Sequence, residues 1–183
     1  MSALPTKSPL PDASARRPSD TAVEMNQIVM PQHTNAHGTA FGGTVMGWID
    51  VCAALSAQRH SRRAVVTASM DQLDFLAPIR AGQLVNLRAL VNYVGKSSME
   101  IGVRVEAEDM LTGARTHAVS AYLTFVALDE QGRPSAVPRL VAETADERLR
   151  RDEAVVRRDQ RLELAARRRE LRLRHGAVEP DRK

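Results

Sequence analysis

Residues 42–58, GGTVMGWIDVCAALSAQ, open on a glycine pair, contain no proline and carry one charge, Asp50. Seventeen such residues predict a helix. At helical spacing Asp50 shares its face with Gly43, Met46, Gly47, Ala53, Ala54 and Ala57, all but one of them very small. Something is built to approach that face closely, and so weakly polar a helix predicts burial on nearly all sides. Thr44 is a possible cap. Arg59, His60, Arg62 and Arg63 stand where cations complement the C-terminal end of the helix dipole. The apolar stretch 40–57 approaches membrane-spanning length, but its Ala and Gly content and its central Asp50 fit a buried helix and predict no membrane insertion.

Outward from the helix the period changes from 3.6 to 2. Downstream, AVVTASMDQLDFL closes at Pro78 and Gly82 and reads as a strand. Val85, Leu87, Ala89, Val91 and Tyr93 then alternate against Asn86, Arg88 and Asn92, and Met99, Ile101, Val103, Val105 and Ala107 alternate against Glu100, Gly102, Arg104, Glu106 and Glu108. One wet sheet face is expected. RTHAVSAYLTFVAL makes a long last strand, and the turns at Gly95-Lys96-Ser97 and Thr112-Gly113 imply an antiparallel meander. Upstream, EMNQIVM forms a short strand, and Pro31 with QHTNAHGTAFGG forms a loop rich in turn formers. One helix against one antiparallel sheet is an α+β arrangement. A lone subunit would leave much of that helix uncovered, so pairing of sheets edge to edge into a homodimer is expected.

The ends differ from the middle. Residues 1–20, with Pro5, Pro9, Pro11 and Pro18, read as a disordered leader, 21–141 as the globular domain and 142–183 as a charged helical tail. In the tail Asp146/Arg150, Glu147/Arg151, Glu153/Arg157, Glu163/Arg167 and Glu170/Arg174 are acid-before-base pairs at i,i+4, while the leucines keep no single heptad seam. A solvated polar helix laid on the body is the preferred expectation, with an interaction arm as the alternative.

Composition narrows the function. Most of the formal charge of +4 belongs to the tail, because residues 24–140 hold ten Lys/Arg against ten Asp/Glu and 142–183 hold thirteen against ten. With only 3% aromatic residues there is no stacking platform, so no nucleic-acid partner is expected. Cys52, the only cysteine, excludes an intrachain disulfide and a cysteine-based metal site and fits buried packing in a reducing compartment. No signal-peptide pattern is visible in the first residues, and a cytoplasmic location is the expectation.

A mid-helix carboxylate cannot cap a helix, and burying it without donors or a water-lined pocket costs several kcal/mol. Two readings of Asp50 stay open on these residues. It is a structural polar group bonded to a loop or neighbouring subunit, with Gly42-Gly43 a packing contact. Or it is a general base, with free N–H groups of the glycine pair polarising a carbonyl oxygen. Glycine pair and carboxylate lie about 10 Å apart along the axis at roughly 1.5 Å per residue. That is too far for one reacting carbon to meet both, so the counterpart is expected from a second subunit.

TNAHGTAFGGTVMGWIDVCAA, VVTASMDQLDFLAPIRAGQLV, VNYVGKSSMEI and FVALDEQGRPSAVP, in this order over about residues 24–140, resemble the cytosolic acyl-CoA hydrolase group of hotdog-fold thioesterases. The resemblance implies a hotdog fold, one long central helix wrapped by a five-to-six-stranded antiparallel sheet. It implies hydrolysis of an acyl-CoA thioester to free acid and CoA, a step of fatty acid metabolism. No cofactor and no metal are implied, since CoA is part of the substrate. Asp50 matches the family's general base or nucleophile and Asn35 its loop partner, and the resemblance implies that Asn35 and the Gly42 and Gly43 amides of one subunit face Asp50 of the other across a dimer interface. His37 stands where similar sequences often carry a second Asn, and it reads as a loop residue. The VGKSS turn resembles the segment near bound CoA, so Lys96, Ser97 and Ser98 are candidate CoA contacts, with Arg62 and Arg63 comparable candidates. A hexamer, as a trimer of dimers, is implied by the resemblance alone.

Two other functions compete. A hotdog enoyl-CoA hydratase shares the look of FLAPIRAGQLV but needs an Asp/His dyad at the helix start, and here the Asp lies deeper. A non-catalytic acyl-CoA-binding or regulatory module needs no buried base.

Overall fold

The computed structural model describes residues 15–175. Its elements run α1 (Pro18–Thr21), β1 (Val23–Ile28), a 3-10 turn (Pro31–His33), α2 (Gly42–Ser61), β2 (Ala64–Phe75), β3 (Leu84–Val94), β4 (Ser98–Glu108), β5 (Arg115–Leu128) and α3 (Ala145–Arg174). The five strands form one antiparallel sheet in the order β1-β3-β4-β5-β2, so β1 and β2 are its edges. The sheet wraps α2, giving the expected hotdog arrangement with five strands.

The period-2 pattern places the core. Leu87, Val91, Met99, Ile101, Val105, Leu123 and Phe125 point inward, and Val45, Ile49, Cys52, Ala53 and Ala57 of α2 meet them. A core of aliphatic side chains packs closely because the small helix residues let sheet and helix approach. Cys52 is buried with its thiol directed at the Leu87 carbonyl, and burial pushes the thiol up to about 11. It packs; it does not attack.

Four local expectations change. The N-cap of α2 is Phe41, not Thr44. The helix is not buried on nearly all sides: Ala53 and Ala57 enter the core, while Met46, Val51 and Leu55 remain exposed in the single chain. His60 is fully buried, with Nε2 at 2.9 Å from the Pro138 carbonyl, so it is no surface cation. Burial lowers its pKa, the Pro138 bond offsets this, and the nearby Arg16 charge adds to the lowering. The helix end is satisfied instead by Arg62, whose N–H closes on the Gln58 carbonyl from a left-handed conformation, and by Arg16, which donates to the Arg59 carbonyl.

Two further expectations fail at the surface. Of the leader, residues 1–14 lie outside the described residues, but 15–20 are part of the body. Pro18 takes the first position of α1, where its missing N–H costs nothing, and Thr21 is buried with its hydroxyl bonded to Pro18 O. The outer sheet face is also not wet throughout, since Asn92, Glu100 and Thr124 are buried. The tail helix covers them. Thr144 caps α3 through a reciprocal bond with Glu147. From there Ala154 is buried, Arg157 pairs with Glu100 at 2.7 Å and stacks 3.6 Å above Tyr122, and Arg161 reaches Asp71 and Thr124.

Candidate active site

Asp50 sits midway along α2, half-buried, and its Oδ1 accepts a 2.7 Å hydrogen bond from the Thr67 hydroxyl of β2. Register explains why Thr67 faces the helix. It pairs with the core residue Phe125, and the next pairing is Ser69 with Thr124, so Ala68 is the extra residue of a β-bulge. A second irregularity between Met70 and Gln72 restores the pattern further on. These bulges scramble the alternation of VVTASMDQL, which is why the sequence did not disclose Thr67. A hydroxyl at a position otherwise apolar was the only signal.

The loop before α2 is held from several sides. The His33 ring meets the Trp48 ring edge-on at 5.1 Å between centroids, Phe41 N–H bonds His33 O, and Ala40 N–H bonds Ile79 O. Within it the Asn35 Oδ1 accepts from the His37 and Thr39 N–H groups, and its amide donates to the Thr39 hydroxyl at 2.9 Å. Asn35 therefore shapes its own loop in the single chain, while Asp50 bonds Thr67. The structure does not bring the two together within one subunit. His37 is an exposed loop residue.

Gly42 and Gly43 supply the first two amides of α2. Phe41 has no side-chain acceptor, so these N–H groups are left open to an external oxygen. Of the two, Gly43 is the crowded one. A methyl on Gly43 would strike the Phe41 ring, and one on Gly42 would sit 3.6 Å from the Phe75 ring. Phe41 and Phe75 are more than half and half exposed, at 57% and 50%, which flanks the helix start with unpartnered apolar surface. A cleft of about 360 Å³ opens there, lined by Thr39, Ala40, Gly42, Val45, Phe75 and Ile79. Asp50 lies two turns away and does not line it.

The candidate CoA contacts lie at the opposite end of the sheet. Lys96 and Ser97 lie in the β3–β4 turn and Ser98 opens β4, beside the end of β5, where Ala127 N–H bonds Ser97 O. Arg62 and Arg63 close α2 and lead into β2 at the same end. Lys96 is exposed and its carbonyl accepts from Val137 N–H. A cleft of about 300 Å³ adjoins this turn, lined by Tyr93, Gly95, Val137, Leu140 and two further cations, Arg139 and Arg151, that the sequence did not single out. Within one chain the glycine amides and Asn35 occupy one end, the cations the other, with Asp50 between.

Known proteins place this arrangement. The thioesterase superfamily model matches residues 37–114. The uncharacterized acyl-CoA thioester hydrolase YkhA of Bacillus subtilis is 50% identical over 142 residues, 78% of this chain and 83% of that protein. The mouse cytosolic acyl coenzyme A thioester hydrolase is 37% identical over 128 residues, which span only 34% of its greater length. Among solved structures, an acyl-CoA hydrolase from Staphylococcus aureus, in complex with butyryl coenzyme A and coenzyme A, is 40% identical, with a TM-score of 0.79 over 88% of this chain and 97% of that one. An apo-hexameric acyl-CoA thioesterase is 38% identical, with a TM-score of 0.81 over 84% and 98%. Five strands around one helix, matched at these identities over most of both chains, mean that the chain belongs to the thioesterase superfamily, among its acyl-CoA thioester hydrolases.

Proposed function

We propose that the protein hydrolyses an acyl-CoA thioester to the free acid and CoA at sites shared between two copies of the chain. The observation that carries this reading is the Asp50–Thr67 pair on the open side of α2, with uncapped glycine amides at the other end of the same helix. As general base, Asp50 takes a proton from water while the water oxygen bonds to the thioester carbon. The oxyanion so formed rests on the Gly42 and Gly43 amides. The C–S bond then breaks, and the CoA sulfur takes the proton. As nucleophile, Asp50 would attack the carbon itself and water would cleave the resulting anhydride.

Topology supports the sharing. β2 is a twelve-residue open edge, and antiparallel pairing with a second β2 sets the end of one sheet that bears Asn35, Gly42 and Gly43 beside the opposite end of the other. That end carries Lys96, Ser97, Ser98, Arg62 and Arg63, suited to the phosphates of CoA. Relatives support the residue choice. Three S. aureus acyl-CoA hydrolase structures carry alanine in place of an Asn, an Asp and a Thr, and the gaps of fifteen and seventeen between them equal those separating Asn35, Asp50 and Thr67. The building block is a dimer, and the hexameric relative fits a trimer of dimers. No described helix is long and apolar enough to cross a membrane, and a cytoplasmic location suits a CoA ester.

Free thiol released from a panel of acyl-CoAs tests the reading. Wild type should release thiol and Asp50→Ala should lose at least about 1,000-fold in kcat, as for loss of a base with its oriented water. Folded wild type that releases no thiol from any chain length overturns the activity, and hydration of an enoyl-CoA selects the hydratase instead. Full activity in Asp50→Ala overturns the site alone.

A further inference from the structure

Helix α3 runs across the outer sheet face in a definite direction. Arg157 is seated on Glu100 of β4 and Tyr122 of β5, and one turn later Arg161 is seated on Thr124 of β5 and Asp71 of β2. The helix is heading for the β2 edge. Ala154, Arg157 and Arg161, the positions turned to the sheet, are spaced three and four apart, and the same stripe continues as Leu164, Arg168 and Leu171. Every residue from Leu162 to His175 is exposed, and the thirteen helical residues 162–174 extend about 20 Å at roughly 1.5 Å per residue. At about 4.8 Å per strand that is the width of some four strands. Leu162, Leu164, Leu171 and Leu173 are 47–66% exposed along it, an apolar load left largely uncovered by the described residues.

We infer that residues 162–174 form an arm that lies across the outer sheet face of a second copy, each chain of the dimer gripping the other. The occupant follows from continuity: the edge that α3 overruns is the one through which the copies pair, so the surface beyond it is the other sheet's β2 and β5. Charge fits as well. The arm carries Arg167, Arg168, Arg169, Arg172 and Arg174 against Glu163 and Glu170, and the outer side of β2 offers Asp74, which among the described residues accepts from the neutral Gln72 amide. The inference rests on the shared-dimer reading above, and it adds that the dimer is held by two arms as well as by its strand edges.

A photo-crosslinking amino acid at Leu164 or Leu171, in dimers mixed from isotopically light and heavy copies of the full chain, tests it. Crosslinks joining light to heavy peptides within 64–75 or 115–128 are expected. Crosslinks confined to one isotope, or absent from a wild-type-like dimer, overturn the arm. In a second measurement, a chain ending at Arg161 should dissociate at a protein concentration at least tenfold higher in sedimentation, and its specific activity should fall on dilution and recover on concentration. An unchanged dissociation constant in that shortened chain overturns the inference. Thiol release by wild type is scored separately, so an active enzyme without inter-copy crosslinks refutes the arm and leaves the catalytic reading standing.

Discussion

Thr67 donates to one oxygen of Asp50, the proposed base, at 2.7 Å. A hydrogen bond to a charged group is worth about 1.5–3 kcal/mol where water is excluded, so Thr67→Ala should lower kcat by about tenfold or more. Thr67→Ser should recover most of it with KM little changed, a rescue that a packing role for the threonine methyl would not give. Asp50 was legible in the sequence because a charge in an otherwise apolar helix must be accounted for, whereas Thr67 was hidden by bulges that no periodicity reveals. His60 shows the limit of position-based reading: basic residues at a helix end suggested a cation, yet tertiary burial makes this one neutral. Its folded pKa is lowered chiefly by burial, so the unfolded chain binds the proton more readily. Its stabilising contribution is full above the ordinary imidazole value near 6.5 and is lost as pH falls below it. The urea midpoint should therefore drop between pH 7 and pH 5, and His60→Gln should flatten that slope; an equal slope in both proteins would remove His60 as its source.

Strands and helices were read from period and punctuation, and β5 and the start of α2 fall where the pattern put them. What failed was the surface assigned to each element. Glu100 reads as a solvent-facing partner of Ile101, but α3 buries it, and no pattern inside β4 records a helix fifty residues away. The stripe of α3 escaped for a related reason: arginines occupy its sheet-facing positions, so a search for leucine seams passes over them. Their aliphatic stems and a planar guanidinium over Tyr122 do the work of apolar knobs. The Arg157–Glu100 pair has side chains 14% and 4% exposed, so removing one partner strands a buried charge. Arg157→Ala should cost about 3 kcal/mol in denaturant unfolding. Adding Glu100→Gln should return a large part of that loss, because it removes the stranded charge. Equal stability of the two variants would show that packing over Tyr122, and not the ion pair, seats the helix.

For the whole molecule, the division of candidate residues between two ends of one sheet is the decisive feature. Sequence spacing along α2 already separated Asp50 from the glycine amides, and topology shows that no bend in the chain repairs this: Asn35 is committed to its own loop and Asp50 to Thr67. The division of the halves between copies is implied by the resemblance, but the sequence did not disclose the edge strand that would pair them, whose position follows only from the order β1-β3-β4-β5-β2. The consequence is a complementation that a site within one chain cannot produce. Asp50→Ala and Asn35→Ala should each be nearly inactive as homodimers. In their mixed dimer one site combines both lesions and is dead, but the other draws an intact Asp50 from the second chain and an intact Asn35 from the first. Random reassortment makes half the dimers mixed, so subunit exchange should restore about a quarter of wild-type activity. If each site lay within one chain, every site in the mixture would keep one lesion. Activity would then stay at the average of the two parents weighted by the mixing ratio, never above the less impaired one.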